Sequence, residues 1–386
     1  MPTRVLTISK PYVSASNRKK FEIMSRSSEW EIGLICPNKW ANIEYESSLS
    51  EKDSGYWSRQ LPIKFNGKNH FHFYLGLKRA IAEFKPDILN VEEEHYSFVT
   101  YQVFKIAKSM KIPCLFFAWQ NIHKRYPLPF RMIEQYVFRN SALAVVGNDS
   151  AEASIRLKGY KGEFFHVPQV GVDISMYQRT TPAMKANARS LLGIDPDTFV
   201  VLGAGRIVEE KGFQTLIDAA THLLHRNVKI LILGSGSYFE TLQSLVDRHK
   251  LQSRVTLIPF VPSTEMPKYF KASDVMCLPS LTRANWKEQG PTRVISEAMA
   301  SGINVLVSDS GELPSVVDDA GLTFREGNPK DLASKIERMM DSDSLRQELI
   351  QIALDRVNRK FSAEAVAKKN LEMFDLVKTK LNVRSH

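Results

Sequence analysis

The stretch "TFVVLGAGRIVEEKGFQTLIDAA", Thr198–Ala220, reads as an apolar strand, a turn with two glycines and then a helix. That succession is the building unit of a doubly wound parallel sheet. Gly203 and Gly205 fit the first positions of a dinucleotide fingerprint, but Val208 stands where a third small residue is required. A dehydrogenase-type cofactor is therefore not indicated. Arg206 and Lys211 flank the turn instead. A planar guanidinium and a mobile ammonium beside a helix start suit the oxygens of a diphosphate.

Outward from this turn the same pattern repeats. "VKILILGSG", "RVTLIPF", "ASDVMCLPS", "INVLVSDS" and "AGLTFRE" are strand-like, with helical patterns between most of them, as at 214–225, 238–249 and 291–300. Upstream, "RVLTISK", "EIGLICP", "PDILNVE", "IPCLFFAW" and "SALAVVGN" alternate with helical stretches at 18–25, 74–84 and 99–110. Strands separated by helices predict parallel sheets covered on both faces. The fold class expected is α/β, with two Rossmann-like doubly wound domains facing across a cleft that holds the chemistry. The polar, turn-rich segment 168–185 is the expected linker. Domains are assigned to 1–180 and 186–361, with an amphipathic helix at about 362–386 expected to cross back to the first.

With 43% hydrophobic and 24% charged residues among 386, the chain is a globular protein with room for two cores. No run of about 18 apolar residues predicts a membrane span. The start, "MPTRVLTISK", lacks the apolar core of a signal peptide, so a cytoplasmic chain with reduced, buried cysteines at 36, 114 and 277 is expected. The net charge of +10 is one-sided. Residues 1–190 hold 27 Lys and Arg against 17 Asp and Glu, whereas 191–386 hold 25 of each. A basic first half predicts an anionic partner. Its mixed basic and aromatic stretches, "SNRKKFEIMSR", "KNHFHFYLGLKR" and "IHKRYPLPFRM", fit a peripheral membrane surface on the inner face, although Phe71, Phe73 and Tyr74 equally fit a core. Nothing resembles a nucleic-acid-binding motif.

Two carboxylates in "WKEQGPTRVISEAMASG", Glu288 and Glu297, flank a loop that runs into a helix. A carboxylate accepts two hydroxyls at once, and vicinal diols present two. Glu297 sits among apolar residues, where an unpartnered charge is costly. Gly234 closes a second strand–glycine–helix turn, open either to a ligand or to a tight structural role. Val261 follows a strand end where a nucleobase could rest.

Three segments together resemble the retaining GT-B glycosyltransferases of family 4, the group 1 glycosyltransferases: "GAGRIVEEKG", "ASDVMCLPS" and "EQGPTRVISEAMASG". The resemblance covers the second domain and, more loosely, the first. It implies Arg206 and Lys211 on the donor diphosphate, Glu297 on the ribose hydroxyls, and Glu288 on the transferred sugar. Gly205, Gly290, Pro291, Thr292 and Arg293 would complete the donor site. The family leaves seven residues between its glutamates and this chain eight, so either the loop has one residue more or Gln289 takes the first glutamate's place; the "KEQ" context favours the longer loop.

The first domain lacks the family's double glycine, offering small residues around Ser14 instead. Gln120, Asn121 and His123 follow the strand "CLFFAW"; in "NVEEEHYS" most carboxylates are expected to be solvated, with one, Glu92 or Glu94, placed to bind the acceptor. These are the candidate acceptor residues. The implied reaction moves a sugar from a UDP- or GDP-sugar to a glycan or lipid-linked hydroxyl in cell-envelope glycan, exopolysaccharide or glycolipid synthesis, with no obligatory cofactor or metal. The alternatives are a nucleotide-sugar epimerase on the same scaffold and a non-catalytic sugar-binding homologue.

Overall fold

Residues 1–41, 55–290 and 292–384 are described by a computed structural model, in two units. One unit combines Met1–Gly171 with Ala363–His386, and the other is Val172–Ser362. Sequence places the boundary at 180, whereas residues 172–180 cluster with the second unit. Tyr177 packs in that unit's core, and Thr180 donates its amide to the Ser301 carbonyl.

The first unit contains β1 (Thr3–Ile8), β2 (Trp30–Pro37), β3 (Trp57–Leu61), β4 (Ile63–Lys64), β5 (Phe73–Tyr74), β6 (Ile88–Glu94), β7 (Cys114–Ala118), β8 (Leu143–Val146) and β9 (Phe164–His166). Its seven-stranded parallel sheet runs β3-β2-β1-β6-β7-β8-β9, and β4 and β5 form a small antiparallel pair. The second unit contains β10 (Phe199–Ala204), β11 (Val228–Leu233), β12 (Val255–Ile258), β13 (Val275–Leu278), β14 (Asn304–Ser308) and β15 (Leu322–Phe324). Its parallel sheet runs β12-β11-β10-β13-β14-β15.

Alternation along each strand explains the two-sided burial. Val200 and Leu202 join one apolar cluster, while Val201 between them joins the cluster on the opposite face. In each sheet the strand order reverses at one place: between β1 and β6, and between β10 and β13. Ligands of such sheets bind at the carboxyl ends of the strands beside this reversal.

The last helix, Ala363–Arg384, belongs to the first unit. Val366, Met373, Phe374 and Val377 are buried with Val5, Trp30 and Ile32, and the Phe374 and Trp30 rings lie 5.8 Å apart. All three cysteines are free and buried, and burial pushes the Cys36 thiol up to about 11. No helix among the described residues is long and apolar enough to cross a membrane.

Candidate active site

At the strand-order reversal of the second sheet, the loops after β10 and β13 are joined. The Leu281 amide donates to the Glu210 carbonyl at 2.8 Å. Gly212, at φ +69°, lies so close that a Cβ there would sit 1.8 Å from the Pro279 carbonyl oxygen. Only glycine permits this approach and this backbone conformation together. It fixes Lys211 over the end of β13.

Lys211 and Glu288 are both buried, and Lys211 Nζ donates to Glu288 Oε2 at 2.7 Å. Ser280, two residues beyond β13, donates to the same oxygen at 2.7 Å. The Trp286 ring centroid lies 5.4 Å from Lys211 Nζ. The Glu288 carbonyl accepts from the Glu312 amide, beside Gly311, where a Cβ would stand 2.2 Å from that same carbonyl. Backbone and side chain of Glu288 are thus both fixed. Arg206 differs: it is exposed and makes no ion pair or side-chain hydrogen bond among the described residues.

Glu297 lies buried on the helix Arg293–Ala300. Its Oε1 accepts from Tyr177 at 2.7 Å and from Arg293 Nε at 2.6 Å, the latter an ion pair one helical turn apart. Burial, then the neighbouring carboxylate, pushes the Tyr177 phenol above its ordinary range. It therefore stays a proton donor to Glu297. Thr292 caps this helix without a side-chain bond, and its Oγ1 is buried without a partner. Gly290 is buried at φ +149°, and Pro291 lies outside the described residues.

Two sequence candidates are packed against protein. A Cβ on Gly234 would meet the Gly205 carbonyl oxygen at 1.9 Å, so this glycine serves the contact between two turns. Gly205 itself, at φ +150°, is exposed. Val261 is partly buried against the core, beside the exposed Phe260. Ser280, Tyr177 and Trp286 do not stand out in the sequence as site residues. A small polar residue at the end of the strand beside the reversal was the available signal for Ser280.

In the first unit the expectation of solvated carboxylates in "NVEEEHYS" is corrected. Glu92 is buried against Lys20, at 2.6 Å, and accepts from Tyr12 and Asn90. Glu93 is buried against Lys10, at 2.5 Å, and accepts the Lys10 amide at 2.6 Å. Glu94 accepts the Trp119 amide at 3.2 Å through Oε1, while its buried Oε2 has no hydrogen-bond partner. Burial pushes the Glu94 carboxyl up to about 7. Beside it His95 is fully buried, held at 2.9 Å from Glu134 through Nε2, and burial brings it down to about 4.

Ser14 bonds to Ser16 at 2.8 Å. Gln120 is buried with its amide on the Ile122 carbonyl, Asn121 is buried, and His123 is exposed. Two Asp-x-Asp triplets occur, at Asp195/Asp197 and Asp341/Asp343, away from the strand-order reversal. Asp195 accepts from the Asp197 amide and Asp341 pairs with Arg226. Among the described residues no three His, Cys, Asp or Glu side chains group as a metal site.

Residues 184–356 match the family model described as "Glycosyl transferases group 1". A D-inositol 3-phosphate glycosyltransferase of Paenarthrobacter aurescens is 30% identical over 224 residues, 55% of this chain and 53% of the relative. The putative colanic acid biosynthesis glycosyltransferase WcaL of Escherichia coli is 26% identical over 238 residues, 60% of this chain and 56% of the relative. The matches thus span about half the length of these curated relatives. Sucrose-phosphate synthase from Thermosynechococcus elongatus shares the fold, with a TM-score of 0.75 and 18% identity over 99% of this chain and 100% of that one. HepE from Anabaena, solved in complex with UDP, gives a TM-score of 0.75 and 16% identity over 97% and 100%.

Proposed function

We propose that this chain, whose residues 184–356 match the group 1 glycosyltransferase model and whose fold is the GT-B fold shared with sucrose-phosphate synthase, is a glycosyltransferase that moves a sugar from a UDP- or GDP-sugar to a hydroxyl acceptor with retention of anomeric configuration. The observation that carries the proposal is the buried Lys211–Glu288–Ser280 group, with the exposed Arg206 on the same loop as Lys211, at the carboxyl ends of the strands where a parallel sheet takes its ligand.

In this reading Arg206 and Lys211 take the diphosphate. As the bond from the anomeric carbon to the diphosphate oxygen breaks, negative charge grows on the leaving group, and fixed cations stabilise it. The acceptor oxygen bonds to that carbon, and its proton passes to the departing diphosphate, so no protein base is required. Glu297 holds the ribose diol through Oε2, because Tyr177 and Arg293 both address Oε1. Glu288 exchanges Lys211 for sugar hydroxyls when donor binds. Its buried, doubly bonded setting supports it, rather than Gln289, as the first glutamate of a loop one residue longer than the family's.

Among the acceptor candidates, Glu94 is favoured by its Oε2, which makes no hydrogen bond among the described residues and has the His95 ring 3.7 Å away. A glycan or lipid-linked acceptor in envelope or exopolysaccharide synthesis, at an anionic membrane surface, accords with the basic first unit and with the colanic acid assignment carried by the Escherichia coli relative.

Thermal-shift measurement with UDP, GDP and their sugars tests the donor class, since a ligand of the folded state raises the melting point. Donor hydrolysis followed by anomer-resolved NMR then tests the transfer chemistry. A panel without any shift sinks the reading.

A further inference from the structure

Three segments of the first unit, 64–80, 98–111 and 122–140, contain eleven Lys and Arg and one acidic residue, Glu134. Glu134 is buried and paired with His95 and Lys158. The rest of that unit has equal numbers of basic and acidic residues, as does the second unit, so these segments carry the whole surplus of +10.

The segments are distant in sequence but meet in space. The Phe71 ring lies 5.6 Å from Phe98 and 5.1 Å from Phe130, and Phe98 and Phe130 lie 5.8 Å apart. Phe98 also lines a groove of about 580 Å³ with Leu128, Met132 and Tyr136. Leu128 is 70% exposed and Met132 65%, and Phe71 is exposed beside them. Arg131 and Arg139 line the same groove, and Lys105 and Lys108 stand with Nζ 5.7 Å from the Tyr136 ring. Exposed apolar side chains ringed by cations, with no exposed acid in the segments, complement a surface that is anionic outside and apolar beneath.

We infer that this face, centred on Phe71, Leu128 and Met132, is where the protein docks on an anionic lipid bilayer. Leu128, Met132 and Phe71 enter the headgroup boundary, and the lysines and arginines stay at the level of the phosphates. The inference deepens the membrane part of the proposed function and rests on it only for its purpose. A nucleic acid would use the cations and leave the apolar tips unexplained.

The test uses the full chain and vesicles of phosphatidylcholine, alone or with one-third phosphatidylglycerol. Wild type is expected to sediment only with the anionic vesicles, less so as salt rises. Leu128→Asp with Met132→Asp should weaken binding about tenfold or more. Lys105→Gln and Lys108→Gln should each weaken it about fivefold. Leu157→Asp, at a residue 74% exposed on another helix, should leave it unchanged. Unchanged melting temperatures and donor hydrolysis in solution show that the variants are folded.

Equal binding to both vesicles, no binding, or an equal loss in Leu157→Asp overturns the inference. So does a dimer that Leu128→Asp dissociates, or displacement of the vesicles from the face by an oligonucleotide. Vesicle binding without nucleotide-sugar turnover would sink the transfer reading and leave the docking face standing.

Discussion

Lys211 and Glu288, 77 positions apart, form a buried ion pair at 2.7 Å. Each is the other's main compensation for leaving water, so removing one strands the other. Lys211→Ala should lower stability by about 3 kcal/mol, and Lys211→Ala with Glu288→Gln should recover at least half of that loss. A double-mutant cycle on urea unfolding checks this; additive losses would show that the two do not act as a pair.

In turnover the same two residues should behave differently. Lys211→Ala should reduce kcat by about a hundredfold with a smaller change in KM, because the charge it stabilises develops as the leaving group departs. A matching loss in donor affinity would count against that role.

Glu288→Gln and Gln289→Ala decide between the two readings of the long loop. Turnover should fall at least tenfold in the first and less than threefold in the second, since a neutral amide at 288 gives up the charge-assisted bonds to sugar hydroxyls. The reverse pattern would place Gln289 at the sugar.

Gly212→Ala would drive a methyl group to 1.8 Å from a backbone oxygen at a positive φ. The loops after β10 and β13 would have to separate. A loss exceeding about 2 kcal/mol is expected, together with loss of activity. Chemical denaturation of the variant measures it, and wild-type stability would show that the loops are not held as described.

Glu94 and His95 impose opposite pH trends. Glu94 titrates near 7 in the folded chain, above its ordinary value, so stability is lost as pH rises through its window. His95 titrates near 4, below its ordinary value, so stability is lost as pH falls from about 6.5. The two offset one another between about 4.5 and 6.5. Glu94→Gln leaves only the histidine trend, and the variant should gain about 1–3 kcal/mol over wild type at pH 8 relative to pH 5. Urea midpoints at both pH values check the sign; a gap independent of pH would refute it.

Short, mostly apolar runs bounded by glycine, proline and polar turns make the strands of the second unit legible from sequence. β3 and β9 are short and mixed in polarity, and their sequences give no strand signal. Arg206, Lys211, Glu288 and Glu297 stood out as charges in small-residue or apolar settings. Their partners did not: Tyr177 lies within the expected linker, 120 positions from Glu297. The buried pairing of Glu92 and Glu93 is not legible from sequence because Lys20 and Lys10, which neutralise them, come from more than 70 residues away. Local patterns report periodicity and turn chemistry, whereas pairings across a sheet depend on topology that no short window contains.

The helix Ala363–Arg384 buries Phe374 and Val377 in a core whose members outside the helix all come from residues 5–167. During synthesis, residues 1–171 would wait for nearly two hundred further residues before that core closes, while 172–362 already contain everything their own cluster needs. The first unit therefore depends on a helix made after the whole of the second, whereas the second needs nothing from that helix. Loss of this helix alone would open the core around Trp30 and leave 172–362 packed as before.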